Sequence, residues 1–118
     1  MDSKIRKLLT RYGPIGYAIY FHCLELISRD ISETNITFEL EHDAETIAYN
    51  LNIQSIGDVP GPDVVNGIMR YMIDLGLFEE QDGRIYCYKM LYRLDASMTS
   101  NPRLRKMITR AKENHDKV

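Results

Sequence analysis

The fold of this chain is decided by residues 43–88, which read DAETIAYNLNIQSIGDVPGPDVVNGIMRYMIDLGLFEEQDGRIYCY. Two stripes of apolar residues in this stretch repeat every three or four positions, which is the period of an amphipathic helix. The first stripe is Ala44, Ile47, Ala48 and Leu51, and the second is Val65, Ile68, Met69 and Met72. Asp43 is suited to cap the first helix. Gly76 is suited to end the second, which we predict from Asp63 to Leu75.

A β-hairpin follows the second helix. Residues 77–80 and 84–88 have the composition of two short strands, and the Asp82-Gly83 pair between them accepts the positive φ angles that a primed turn requires. Upstream, residues 36–40 alternate apolar and polar side chains, as a half-buried strand does. A strand, two helices and a hairpin in this order predict a mainly helical α+β domain. We expect a winged helix-turn-helix with additional N- and C-terminal helices.

The connection between the two helices, residues 52–62, is longer than the turn of a minimal helix-turn-helix. It contains two glycines and two prolines, which favour a loop. We expect Ile53, Ile56 and Val59 to hold this loop against the core.

Two more helices are predicted before this motif. An apolar stripe of Ile5, Leu8, Leu9 and Tyr12 predicts a helix from Ser3 to Tyr12. The other faces of this helix carry Lys4, Arg6, Lys7 and Arg11, which form either a solvated face or a surface for phosphate groups. Pro14 suits the first turn of a second helix, which we extend to about Ile31. That helix is apolar around most of its circumference, as expected of the central core helix.

The C-terminal part is predicted to be helical and basic. Residues 90–98 form a further helix, and Ser100-Asn101-Pro102 is typical of a cap with proline in the first turn of a last helix. We therefore divide the chain into a winged-helix domain, residues 1–98, and a basic C-terminal helix or arm, residues 99–118. Nucleic acid contact, a solvated basic face and a dimer arm are all compatible with the charge of that arm.

Charge is segregated along the chain although the formal net charge is only −2. Residues 1–24 carry four basic and one acidic side chain, a net charge of +3. Residues 25–83 carry two basic and thirteen acidic side chains (−11), and residues 84–118 carry nine basic and three acidic ones (+6). This slightly acidic protein could therefore carry a basic surface, whose field depends on whether the two ends meet in space.

Several functional classes have little support. The three histidines and the cysteines Cys23 and Cys87 lack the spacing of a zinc site, so we expect no metal. We also expect both cysteines to be buried free thiols. No phosphate-binding loop, nucleophile elbow or carboxylate pair is present, which argues against a cofactor and against an enzyme. The apolar stretch from Tyr12 to Leu24 is too short and polar to span a membrane, and no secretion signal opens the chain, so we expect a cytoplasmic protein.

A resemblance to a known family runs through residues 2–95. It is carried by Asp2-Ser3-Lys4-Ile5, Arg11-Tyr12-Gly13, Gly16-Tyr17-Ala18-Ile19-Tyr20 and Leu24-Glu25-Leu26-Ile27, and later by Leu75-Gly76-Leu77-Phe78, the hairpin and Arg93-Leu94-Asp95. This pattern resembles the N-terminal domain of phage replisome-organiser proteins, which are relatives of DnaD-like primosomal proteins in prophages of Gram-positive bacteria. The resemblance implies a winged helix that helps to start DNA replication. Such a module binds origin DNA or self-assembles to recruit replication partners such as a helicase loader.

DNA contacts are predicted on three elements. On the second helix of the motif, Arg70 is suited to bind guanine and Asn66 adenine in the major groove. The hairpin region and the last helix supply cations for phosphate groups. The complete set is Asn66, Arg70, Arg84, Lys89, Arg93, Arg103, Arg105, Lys106 and Arg110. The alternative is an oligomerisation or protein-docking module without direct DNA contact, because Asp63, Asp74 and the acidic middle of the chain repel phosphates.

Overall fold

The computed structural model describes residues 3–31 and 38–87, together with the four residues Lys106, Thr109, Arg110 and Glu113. The two continuous ranges contain four helices and three strands. The helices are α1 (Ser3–Tyr12), α2 (Pro14–Asp30), α3 (Ala44–Asn50) and α4 (Gly61–Leu75), and the strands are β1 (Glu39–Leu40), β2 (Glu79–Gln81) and β3 (Arg84–Tyr86). The expectation of a mainly helical α+β fold is confirmed.

Helices α1 and α2 form as their apolar patterns predict. α1 buries Ile5 and Leu8, and Pro14 occupies the first turn of α2. α2 is the central helix, since its buried residues, among them Ile19 and Tyr20, join side chains from α1, α3 and α4 in one hydrophobic core. In the described ranges this core contains no buried polar or charged residue, so its stability comes from apolar burial.

Helix α3 is capped as predicted. The Asp43 carboxylate accepts a hydrogen bond from the backbone N–H of Thr46 at 2.8 Å, which satisfies one of the unpaired donors of the first turn. Helix α4 ends at Gly76, which has the expected left-handed conformation. Its start differs from the prediction: α4 begins at Gly61 and not at Asp63, because Pro62 fits the first turn of a helix and does not break it there.

The loop between α3 and α4 is held to the core by only one of the three residues predicted to do so. Ile53 is partly buried, and its N–H donates to the carbonyl of Ala48 at 2.8 Å. The prediction is wrong for Ile56 and Val59, which are 57% and 46% exposed. These two residues pair with each other across a tight turn, with backbone hydrogen bonds of 2.9 and 3.0 Å in both directions. That pairing turns their side chains away from the core.

The three strands form one antiparallel sheet in the order β1-β3-β2. Asp82 and Gly83 at the hairpin tip have φ angles of 53° and 77°, as the predicted primed turn requires. The paired part of the first strand is shorter than predicted, since β1 comprises only Glu39–Leu40 and Phe38 has a φ of 58°. Residues 36 and 37 of that prediction lie outside the described residues.

Of the predicted basic arm, four residues are described. Lys106, Thr109, Arg110 and Glu113 are helical and exposed. The helix predicted for residues 90–98 lies outside the described residues, and the division of the chain at residue 98 stays a prediction.

Candidate nucleic-acid interface

Arg70 is exposed on α4, as a base-contacting residue would be, but it is already bound within the domain. Its two terminal nitrogens donate to the two carboxylate oxygens of Glu80 in β2, at 3.2 and 3.0 Å. This bidentate geometry is the strongest form of an arginine–carboxylate contact. The hydrogen bonds to Glu80 raise the pKa of Arg70 above its usual value, and the negative charge of Glu80 makes a smaller contribution in the same direction. The side chain predicted to bind guanine is therefore tied to the hairpin.

Arg84 and Asn66 line one groove between the hairpin, α3 and α4, which we call the wing groove. It has a volume of about 490 Å³, and Arg84 lies 3.7 Å from the carboxylate of Glu39 at its edge. Its charged and polar lining residues are Glu39, Glu41, His42, Asp43, Asn66 and Arg84. Three carboxylates face one arginine, so the field in the wing groove opposes a phosphate.

Asp43 stays ionised in this groove. Hydrogen bonds from the backbone and side chain of Thr46 lower the pKa of its carboxyl group. The residue that caps α3 thus contributes one of the negative charges of the groove.

The remaining predicted contacts fall on the C-terminal third of the chain. Lys106 and Arg110 are exposed on helical backbone. Lys89, Arg93, Arg103 and Arg105 lie outside the described residues. The structure thus brings Asn66 and Arg84 together in the wing groove, whereas Arg70 is paired with Glu80 and does not line that groove.

A second surface, on α1, has the opposite charge. Arg6, Lys7 and Arg11 line a shallow cavity of about 560 Å³ together with Ser3, Thr10 and Tyr71 of α4, and we call this the α1 cavity. Among the residues that the structure describes, no carboxylate forms an ion pair with any of these three cations. Arg29, Arg70 and Arg84, by contrast, each have a glutamate within 4.0 Å. The α1 cavity therefore groups three cations whose charge no described carboxylate offsets by an ion pair.

Aromatic contacts hold Arg11 in place in the α1 cavity. Its guanidinium carbon lies 5.1 Å from the ring centre of Tyr71 and 5.6 Å from that of Tyr12. The two rings meet edge to face with centres 5.5 Å apart. Hydrogen bonding with Tyr12 raises the pKa of Arg11. A cation held against two rings loses less conformational freedom when it binds an anion.

A phosphate-binding role for the cations of the α1 cavity was predicted only as one of two alternatives, and their grouping with Tyr71 was not predicted. A sequence signal for this surface does exist. Arg6, Lys7, Thr10 and Arg11 have the spacing i, i+1, i+4 and i+5, which places them on one face of a helix. Lys4 belongs to a different contact, because its amino group lies beside Gly76 at the C-terminal end of α4, where the helix dipole favours a cation.

The described ranges contain no cluster of three or more histidine, cysteine, aspartate or glutamate side chains suited to a metal ion. Cys23 and Cys87 are buried free thiols, as predicted. His22 and His42 each contact a carboxylate, Glu25 at 3.5 Å and Asp30 at 3.2 Å. Within the same ranges no helix combines the length and the apolar character that crossing a membrane demands.

Comparison with known protein families, with curated proteins and with solved structures found no match for this chain.

Proposed function

We propose that this chain is a nucleic-acid-binding winged-helix module of a DNA replication initiation protein of the phage replisome-organiser type. The order of elements supports the winged arrangement: a central helix, a strand, two helices and a hairpin, with the first strand paired to the last. In this scheme α4 corresponds to the recognition helix and β2–β3 to the wing. A replication role would place the protein in the cytoplasm, in contact with DNA and with partners such as a helicase loader.

The observation that carries nucleic acid binding is the set of free cations in the α1 cavity. Arg6, Lys7 and Arg11 lie on one helix face, and no carboxylate of the described ranges neutralises them. Cations in this state release counterions from a nucleic acid backbone when they bind it, which is the main source of sequence-independent affinity. We therefore expect α1 to supply the main phosphate contacts, because Arg70 and Arg84 are paired with glutamates.

The replication role rests on the sequence resemblance. Several of its residues have structural tasks in the fold, since Tyr12 contacts Arg11 and Tyr71 while Ile19 and Tyr20 are buried in the core. The resemblance therefore favours a fold shared with that family, while the charges of α1 support the binding of nucleic acid.

Fluorescence anisotropy of labelled duplex and single-stranded DNA at low salt tests this function. We expect binding that weakens as salt rises, with a log–log slope of about −0.7 to −0.9 for each phosphate contact. The triple change Arg6→Gln, Lys7→Gln and Arg11→Gln should reduce both the affinity and the magnitude of the slope. Arg29→Gln is the matched control, because Arg29 is exposed on α2 and paired with Glu25. Absence of binding up to high micromolar protein would refute the proposal.

A protein-docking or oligomerisation module is the second candidate, and one observation favours it. Ile56 and Val59 stand exposed on a short turn whose backbone is hydrogen-bonded, so the pair is presented on a defined surface. Tyr49 on α3 is 85% exposed as well. Light scattering over a wide concentration range should show self-association that the double change Ile56→Ser and Val59→Ser abolishes. A strict monomer would count against self-association by this surface.

A further inference from the structure

The surface that lines the α1 cavity is mostly apolar, while its charged side chains, Arg6, Lys7 and Arg11, are all cationic. Its lining combines the aromatic ring of Tyr71 with Arg6, Lys7 and Arg11. The volume of about 560 Å³ lies in the range of sites that hold small organic ligands, about 300–1,000 Å³. A ligand that satisfies both features has a flat apolar part and a negatively charged part.

We propose that the α1 cavity binds an unpaired nucleotide of single-stranded nucleic acid, with the base against Tyr71 and the flanking phosphates at Arg6 and Lys7. This inference rests on the proposed nucleic acid binding and adds the strand preference and the contact that causes it. Aromatic stacking of bases beside a positively charged track is the general means by which proteins bind single strands without reading their sequence.

The geometry favours a single strand over a duplex. In a duplex the flat faces of the bases are stacked and only their edges are accessible in the grooves. A base reaches a concave cavity only after it has left the stack, which costs free energy that an unpaired strand does not pay. The described surfaces that face a duplex in a winged helix, α4 and the hairpin, have their arginines Arg70 and Arg84 bound to glutamates.

Arg11 completes the site. The contacts with Tyr12 and Tyr71 hold its guanidinium near the Tyr71 ring before a ligand arrives. A planar guanidinium stacks on bases as well as pairing with phosphates. Arg11 and Tyr71 therefore form a preorganised pair, one from α1 and one from α4.

A tryptophan reporter tests the inference in the full chain, which contains no tryptophan. Tyr71→Trp places the only indole in the α1 cavity, and Tyr49→Trp places the only indole on an exposed position of α3 as the matched control. We expect an oligothymidylate of about ten nucleotides to quench the fluorescence of the first variant and to leave the second unchanged. Quenching should follow the same binding curve as the anisotropy of the labelled oligonucleotide.

A second variant measures the strand preference. Tyr71→Leu keeps an apolar side chain against the core and removes the stacking ring. We expect it to lower the affinity for oligothymidylate about tenfold and the affinity for a duplex of equal length less than twofold. An equal loss for both ligands would overturn the inference.

The remaining outcomes separate the inference from the proposed function. Anisotropy binding without quenching of the tryptophan at position 71 overturns the α1 cavity as a base site and leaves nucleic acid binding intact. No binding of either DNA overturns both. A tryptophan response to anionic phospholipid vesicles with none to oligothymidylate assigns the cavity to a lipid surface and overturns the inference.

Discussion

The contact between Arg70 and Glu80 occupies donors that the sequence alone suggests are free to bind DNA. From the sequence, Arg70 is the best candidate on α4 to bind a base. In the structure a carboxylate ten positions further along the chain holds it in a bidentate contact. An arginine must break that contact before it binds guanine, so Glu80 competes with DNA for the same donors.

Replacement of Glu80 by glutamine should therefore strengthen duplex binding. Glu80→Gln removes a negative charge from the wing side and releases Arg70, and we expect affinity to rise several-fold, about three- to tenfold. Glu79→Gln is the control, because it removes the same charge from β2 at an exposed residue that does not bind Arg70. Anisotropy with a labelled duplex makes the comparison. Equal gains from both changes would show that only net charge matters.

The buried thiol of Cys23 leads to a prediction about pH. Desolvation, with a smaller effect of Cys87, raises the pKa of Cys23 from 9.0 to about 12. Between these values the unfolded chain has lost the thiol proton and the folded chain has kept it, so the folded state binds more protons and its stability falls as pH rises. Urea unfolding between pH 9 and pH 12 should show this decline, and Cys23→Ala should make it shallower. An identical pH dependence in Cys23→Ala would exclude the thiol as its cause.

At the scale of elements, the start of α4 depends on a glycine without room for a side chain. A β-carbon at Gly61 would collide with the carbonyl oxygen of Ile53, so the backbone of the loop packs directly against the backbone of Gly61. We expect Gly61→Ala to destabilise the domain by about 1–3 kcal/mol, as overpacking does. Gly67 in the same helix faces open space. Gly67→Ala should stabilise the domain by about 0.5–1 kcal/mol, because alanine favours a helix. Chemical denaturation measures both, and a stabilised Gly61→Ala variant would contradict the close approach.

The helices were predictable because their signals are local. The stripe containing Ile5 and Leu8, the Asp43 cap and the Asp82-Gly83 turn all act within a few residues of each other. The exposure of Ile56 and Val59 was not predictable in this way. Apolar residues in a loop normally suggest burial, and only the backbone pairing between them explains why they point outward.

In the candidate site, too, some features follow from local sequence and others depend on contacts between distant residues. That Arg6, Lys7 and Arg11 share a helix face follows from their spacing, whereas the position of Tyr71 beside them depends on the packing of α1 against α4. Ion pairs between distant elements decide which cations remain free, and no local pattern in the sequence records them. The spacing therefore predicted the basic face of α1, whereas the glutamate partners of Arg70 and Arg84 became evident only in the structure.

At the scale of the whole molecule, two basic ends flank an acidic middle segment. Residues 1–24 carry +3, residues 84–118 carry +6, and the segment between them carries −11. A nucleic acid that contacted one end alone would also be repelled by the middle. Contact with both ends at once would set a combined net charge of +9 against the −11 of the middle segment.

The salt dependence of binding distinguishes these cases. One triple variant neutralises Arg6, Lys7 and Arg11, and a second changes Arg103, Arg105 and Lys106 to alanine. Each lost phosphate contact should lower the magnitude of the log–log slope by about 0.7–0.9. If both ends hold the same strand, the losses should add in the combined variant, because counterions released at separate phosphates are independent. A combined variant whose slope equals that of the α1 triple alone would remove the C-terminal arm from the interface, and circular dichroism would verify that every variant remains folded.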